Sequence, residues 1–296
     1  MRPKLNLRLA MAQVAEHVAT EMTFAELAKA YCAVQFDGAD LRLRKWIDAF
    51  GNESAWGVTS RQISLAAEAM MQSGLYKAST VNRDTSTIGT LYKWAIRRHL
   101  APAGFVSPTI GLQRYEEAIR RVHISDEEIA AILDGAKAFS DRRFAVLVRL
   151  AVETGARRSE LRERIWRDID LKARTITVEE TKTGRPRTLF FSEATAELMA
   201  RVWTKPSPDE LLFGSRLNPG RPIDYRRQWM TLVAAIGRPD LHLHDLRHHR
   251  AAELLKAGNT IAVAAQVLGH SSLILQRRYG HLETATLRAA TEASWR

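Results

Sequence analysis

The chain has 296 residues, with 44 Lys or Arg against 33 Asp or Glu, a formal net charge of +11; that length suits two lobes and a linker, and the basic excess suits a polyanionic partner. A composition 46% hydrophobic and 26% charged excludes a disordered chain, and the single cysteine, Cys32, excludes an internal disulfide framework and a cysteine-based zinc cluster. The basic N-terminal stretch lacks the apolar centre of a signal peptide and no later segment reaches the about 18 apolar residues of a membrane span, so nucleic acid is the expected polyanion and the cytoplasm the expected compartment.

The excess is shared, +5 over residues 1–121 and +6 over residues 122–296, so both halves can face one partner. After a short N-terminal segment, 1–22, Thr23-Phe24-Ala25-Glu26 reads as a capping box, because the Thr hydroxyl and the Glu carboxylate each satisfy an orphan backbone N–H. Helical patterns follow at roughly 40–50, 60–73 and 80–99, the last with Ile88, Leu91, Tyr92 and Ala95 on one face. The first lobe, 23–100, is therefore a helical bundle. Two prolines and a glycine in Ala101–Pro108 mark an interdomain linker over 101–122. A second capping box, Ser125-Asp126-Glu127-Glu128, opens the second lobe, 123–296.

Residues 142–153 form an apolar helical stretch that halts at Thr154-Gly155, and helix resumes through Ser159-Glu160-Leu161. Thr175–Val178 and Arg187–Phe191 flank Lys182-Thr183-Gly184-Arg185-Pro186 and read as a β-hairpin. Helix signals return after Ser192. The expected fold class is mainly α with a small antiparallel β-sheet.

Five segments of the second lobe carry chemistry. In Thr154-Gly155-Ala156-Arg157-Arg158-Ser159-Glu160-Leu161 a helix break sets Arg157 at a helix start, where a guanidinium suits a phosphate; the plain alternative is a surface arginine paired with Glu160. Lys182 sits at the hairpin tip beside Arg185 and Arg187, placed either to donate a proton or simply to be solvated. In His242–Arg250, His244 and Arg247 share a helix face and can sit over one anion. His244 and His248 also have the spacing of a zinc helix, yet the Glu of such a motif is missing and no third ligand is obvious, so metal ranks below the anion reading and none is assigned. The last two segments are Leu268-Gly269-His270-Ser271-Ser272 and, nine residues after His270, Tyr279-Gly280-His281.

In this order and at these separations the segments resemble the tyrosine recombinase (phage integrase) family, over roughly residues 155–281. The resemblance implies a helical core-DNA-binding domain followed by a mixed α/β catalytic domain with a C-terminal tail helix. It makes Tyr279 the nucleophile, Arg157 and Arg247 phosphate clamps and Lys182 the general acid. His244 and His270 fill the two histidine positions, and Glu160 supports Arg157. Arg158, His248 and His249 fall on no catalytic position and read as surface or structural. Many relatives carry a Thr-Thr pair between the second histidine and the tyrosine, where this chain has Leu273-Ile274-Leu275-Gln276-Arg277-Arg278.

The implied reaction is site-specific cleavage and rejoining of double-stranded DNA through a 3′-phosphotyrosyl intermediate, without metal, cofactor or ATP, by a homo-tetramer on paired sites. His244 is the candidate base for the phenol, which titrates near pH 10 when free, with the arginine-rich pocket as the other source of activation. Either a mobile-element integrase or a Xer-like resolvase fits. About 22 residues precede the first helix, which favours a simple recombinase over a large phage integrase. The competing class is an architectural DNA-binding protein that keeps the fold without strand transfer, and the full set of six catalytic identities argues against it. A type IB topoisomerase-like nickase and a metal-dependent nuclease rank below.

Overall fold

The computed structural model describes residues 22–35, 38–118, 122–179, 186–269, 271–279 and 291–292, and the chain divides into two compact units, Met1–Arg120 and Arg121–Arg296.

The first unit contains helices α1 (Phe24–Val34), α2 (Ala39–Phe50), α3 (Ser60–Gln72) and α4 (Ala78–Arg97). The Thr23 box forms as expected: Oγ1 accepts the Glu26 N–H (3.2 Å) and Glu26 Oε2 accepts the Thr23 N–H (2.9 Å). Thr59 and Gln62 close the same motif at the start of α3. Phe24, Leu43, Ile63, Ile88, Leu91 and Tyr92 are wholly buried in its core. The Tyr92 hydroxyl donates to the Ala55 carbonyl (2.8 Å), which satisfies the one polar atom of a buried ring. The segment expected as a linker differs from a free tether. Phe105 packs edge-on against Trp56 (5.1 Å between centroids), and the Asn82 amide donates to the Tyr115 carbonyl and accepts its N–H (2.8 and 2.9 Å). A side-chain amide that copies the backbone's own pairing holds that stretch on the bundle.

The second unit opens on α5 (Asp126–Ala136), with Ser125 and Glu128 closing the expected capping box. The next helix, α6 (Arg142–Thr154), buries Phe144 through Val148 together with Leu150, Ala151 and Thr154, and packs against α5. A helix buried on most of its circumference belongs at the centre of a domain. Gly155 ends it in the left-handed conformation (φ 59°) with its N–H on the Ala151 carbonyl (3.1 Å), and the short α7 (Arg158–Arg162) follows.

The hairpin forms, and a short strand enlarges it. The antiparallel order is β1 (Ile169–Asp170), β2 (Thr175–Val178), β3 (Arg187–Phe190), with Ile176 opposite Leu189 and Val178 opposite Arg187. Ile176, Val178 and Leu189 point into the core, as strand alternation requires. Then come α8 (Glu193–Val202), α9 (Arg226–Ala235), α10 (Asp245–Lys256), α11 (Ile261–Leu268) and α12 (Ser272–Tyr279). Both α8 and α10 pack on α6. A smaller apolar cluster, Ala251, Leu255, Ile261, Ala264, Ala265, Leu268 and Leu275, joins α10, α11 and α12, and Tyr279 lies against it. No helix among the described residues is long and apolar enough to cross a membrane.

Candidate active site

Three arginines from three different elements converge on the C-terminal end of α11. Arg187 Nη1, at the start of β3, donates to the Val267 carbonyl (2.6 Å). Arg247 Nη2, in the first turn of α10, donates to the Leu268 carbonyl (2.6 Å), and Arg157 Nη2, just before α7, to the Gly269 carbonyl (2.8 Å). The last carbonyls of a helix lack intrahelical donors and carry the negative end of its dipole, so this terminus is a natural seat for cations. Gly269 takes a left-handed conformation (φ 64°) to end the helix there.

Glu160 is the carboxylate of the cluster. It accepts the Arg157 backbone N–H on Oε2 (2.7 Å) and the Arg157 guanidinium on Oε1 (2.7 Å), and Arg187 Nη2 reaches Oε2 at 2.5 Å. Burial raises its pKa, but the Arg157 N–H and the Arg187 charge outweigh burial and hold it below the ordinary carboxylate range. Arg157 makes the pairing with Glu160 that the sequence offered as its plain alternative. One edge of the guanidinium pairs with Glu160, another fixes Gly269, and the side chain keeps 22% of its surface exposed.

Arg247 is fully enclosed, at 1% exposure, with Nη1 on the Gly155 carbonyl (2.7 Å). Burial, then the charges of Arg157 and Arg187, pull its pKa down to about 9, which still leaves it charged at neutral pH. The three guanidiniums and Glu160 alone sum to +2, a surplus that favours a bound anion. Tyr279 lies close enough to Arg247 for its ionised form to stabilise the guanidinium.

His244 occupies the residue before α10, and its ring stands edge-on to His248 (5.1 Å between centroids, 85°) one turn along. His248 Nδ1 lies 2.6 Å from the Tyr279 hydroxyl. His248, read from the sequence as surface or structural, is half-buried and hydrogen-bonded to Tyr279: on α10 it shares a face with His244 and Arg247, and that face looks onto the end of α12. Arg158 is exposed, in line with a surface role, and His249 is half-buried. Lys182 and His270 lie outside the described residues.

Sequence reasoning misses Arg187, which enters there only as a neighbour of Lys182. The available signal is strand alternation. Arg187 has the parity of Leu189 and stands opposite Val178, both buried, so its side chain starts on the inward face of the sheet. For a metal, Asp126, His249 and Glu253 offer ligand atoms within 4.8 Å of one another, but Glu253 pairs with Lys256 at 2.9 Å.

Residues 123–286 match the phage integrase family. Among curated proteins, a tyrosine recombinase XerC of Mycobacterium tuberculosis (strain ATCC 25177 / H37Ra) is 32% identical over 235 residues, covering 72% of this chain and 76% of its own. A second XerC, of Mycobacterium sp. (strain KMS), is 32% identical over 290 residues, covering 88% and 86%. The chain belongs to the phage integrase family, the tyrosine recombinases. By that membership it is a site-specific recombinase. Two solved relatives share the fold at lower identity. The Tn1549 transposon integrase, in complex with a circular intermediate DNA, superposes with TM-score 0.71 at 19% identity over 92% of this chain and 100% of that one. A lambda integrase dimer bound to a COC′ core site gives TM-score 0.62 at 17% identity, over 91% and 79%. The expectation of a mainly helical fold with a small antiparallel sheet, in this family, is met.

Proposed function

We propose that this recombinase cleaves double-stranded DNA by attack of the Tyr279 hydroxyl on the scissile phosphate, leaving a 3′-phosphotyrosyl link and a free 5′-hydroxyl. A second 5′-hydroxyl then reverses the attack, and the retained ester makes resealing independent of ATP. Arg157 and Arg247 bind the non-bridging oxygens, whose charge grows in the transition state, while His244 and His270 donate to the same oxygens. Lys182 protonates the leaving oxygen. These cations supply the charge stabilisation for which other phosphoryl-transfer sites use a metal ion.

The observation that carries this reading is the convergence of Arg157, Arg187 and Arg247 on three successive carbonyls, 267 to 269, with the Tyr279 phenol beside Arg247. We also place the protein in the cytoplasm and assign it a homo-tetramer on paired recombination sites; a lambda integrase of the same fold has been solved as a tetramer bound to a Holliday junction, which supports the assignment. Deleting residues 284–296 should then abolish synapsis and leave single-site binding intact, as read by gel mobility; synapsis at the full-length level would contradict that assignment.

The mechanism is tested with a duplex nicked near the cleavage site, incubated in EDTA. Wild type should give a covalent protein–DNA adduct and Tyr279→Phe none. Binding without an adduct would instead fit a catalytically silent protein of the same fold, and an adduct that requires added metal would refute the cationic site.

A further inference from the structure

We propose that His248 positions the Tyr279 phenol and takes its proton as the phenol attacks the scissile phosphate. The inference rests on Tyr279 being the nucleophile. It moves the role of base away from His244, the candidate that the family resemblance implies.

The geometry supplies the acceptor. Proton transfer in the transition state needs heavy atoms within about 2.6–3.2 Å. His248 Nδ1 stands 2.6 Å from the Tyr279 hydroxyl oxygen, which is the reacting atom itself. With the imidazole neutral and its hydrogen on Nε2, Nδ1 accepts the phenolic O–H. Two neighbours restrict both rings. The His244 ring meets His248 edge-on at 5.1 Å, and the Tyr279 ring packs on the apolar cluster joining α10, α11 and α12. A hydroxyl anchored on a stiff helix face is held at one point, which is what an attacking group requires.

The electrostatics favour the same transfer. Among the described residues, the titratable and charged groups that bear on His248 include His244 and Arg247 on its own helix and Tyr279 from α12. Arg157 from the α7 start and Arg187 from β3 bear on Arg247, and Glu160 partly offsets them. The surplus of guanidinium charge lowers the cost of forming a phenolate next to Arg247 and so eases departure of its proton. In the proposed step the Oη–H bond breaks and the proton passes to His248 Nδ1, giving an imidazolium. Oη forms its bond to phosphorus, and the bond from phosphorus to the 5′-oxygen breaks with its electron pair on that oxygen. The 5′-oxygen takes a proton from the general acid assigned to Lys182. Religation runs the same steps backward and returns the proton from His248 to the phenol, so no outside reactant is needed.

The test uses the full-length protein and a nicked duplex carrying a site selected by binding from a random-sequence duplex library. Single-turnover adduct formation is followed from pH 6 to pH 10, with DNA affinity measured in parallel. His248→Phe keeps a ring of similar size but no acceptor. Its rate near neutral pH should fall about 100-fold, the lower end of a general-base effect. It should then climb about tenfold per pH unit toward the phenol's own range near pH 10, whereas the wild-type rate levels off earlier. His248→Asn, with a polar atom near the Nδ1 position, should recover part of the rate while keeping the steep pH dependence. DNA affinity should stay within about twofold for both. A merely structural role would lower the rate without changing its pH slope, so a parallel, reduced profile in His248→Phe overturns the proposal, as does a wild-type rate in that variant. If wild type itself forms no adduct, or Tyr279→Phe still forms one, the assignment of Tyr279 fails first and the role of His248 falls with it.

Discussion

A single buried carboxylate that holds two guanidiniums makes Glu160 the most vulnerable group of the site at the scale of one residue. Its side chain keeps 4% of its surface in water and pairs with both Arg157 and Arg187. Removing one partner of a buried ionic group leaves uncompensated charge, at a cost of about 3 kcal/mol. Because the folded state holds the Glu160 pKa below its ordinary value, the stabilisation is present above about pH 4.3, the unfolded value, and is lost as pH falls through the lower folded value. Glu160→Gln should therefore unfold at clearly lower urea than wild type at pH 7, and the gap should shrink below about pH 4. An equal gap at both pH values would contradict the account. The pairing of Arg157 with Glu160 was legible in the sequence because the two stand at i and i+3. Arg187 was not, since its partners lie 27 and 80 residues away and only its inward parity on the strand hinted at them.

At the scale of elements, the decisive piece is the end of α11, whose carbonyls 267 to 269 hold three arginines, together with the end of α6, whose Gly155 carbonyl holds one of them again. Both ends turn on a left-handed glycine. A Cβ on Gly269 would sit 3.0 Å from Arg187 Cδ, and one on Gly155 would sit 2.5 Å from Leu268 Cδ2 and 3.1 Å from Arg250 Cγ. Gly155→Ala should thus cost about 1–2 kcal/mol of backbone strain and a further amount for displacing Leu268. Its adduct-forming rate should fall even where urea titration shows the protein folded, because Leu268 carries the carbonyl that orients Arg247. Wild-type rates in a folded Gly155→Ala protein would show that this coupling is absent. Much of this layer could be read ahead of the structure. Capping boxes at Thr23 and Ser125, the helix stop at Thr154-Gly155 and the hairpin strands are local patterns that the chain obeys. What could not be read was how far the segment after Ala101 folds back. Asn82 meets Tyr115 across 33 residues, and nothing in the Pro- and Gly-containing stretch announces that partner.

For the whole molecule the relevant quantity is the +11 charge and how it is distributed. Arg157, Arg187 and Arg247 are committed to one site and largely buried, so they contribute little to holding a long duplex. Exposed cations such as Lys93, Arg97 and Arg98 at the C-terminal end of α4 belong to the remainder. Replacing these three with Gln should weaken DNA binding and flatten the plot of log affinity against log salt by about 0.9 for each phosphate no longer neutralised. The adduct rate at saturating protein should be unchanged. A salt slope equal to that of wild type would place the duplex elsewhere.

Tyr279 is expected to become covalently bound to DNA, and the identity of the linked residue is the property to measure. An adduct formed in EDTA on a nicked duplex is digested with nuclease and protease, and the peptide that retains a nucleotide is sequenced by mass spectrometry. A 3′-linked nucleotide on Tyr279 is the expected result. A nucleotide on Ser271, Ser272 or any other side chain, or a link through the 5′ end, would contradict it.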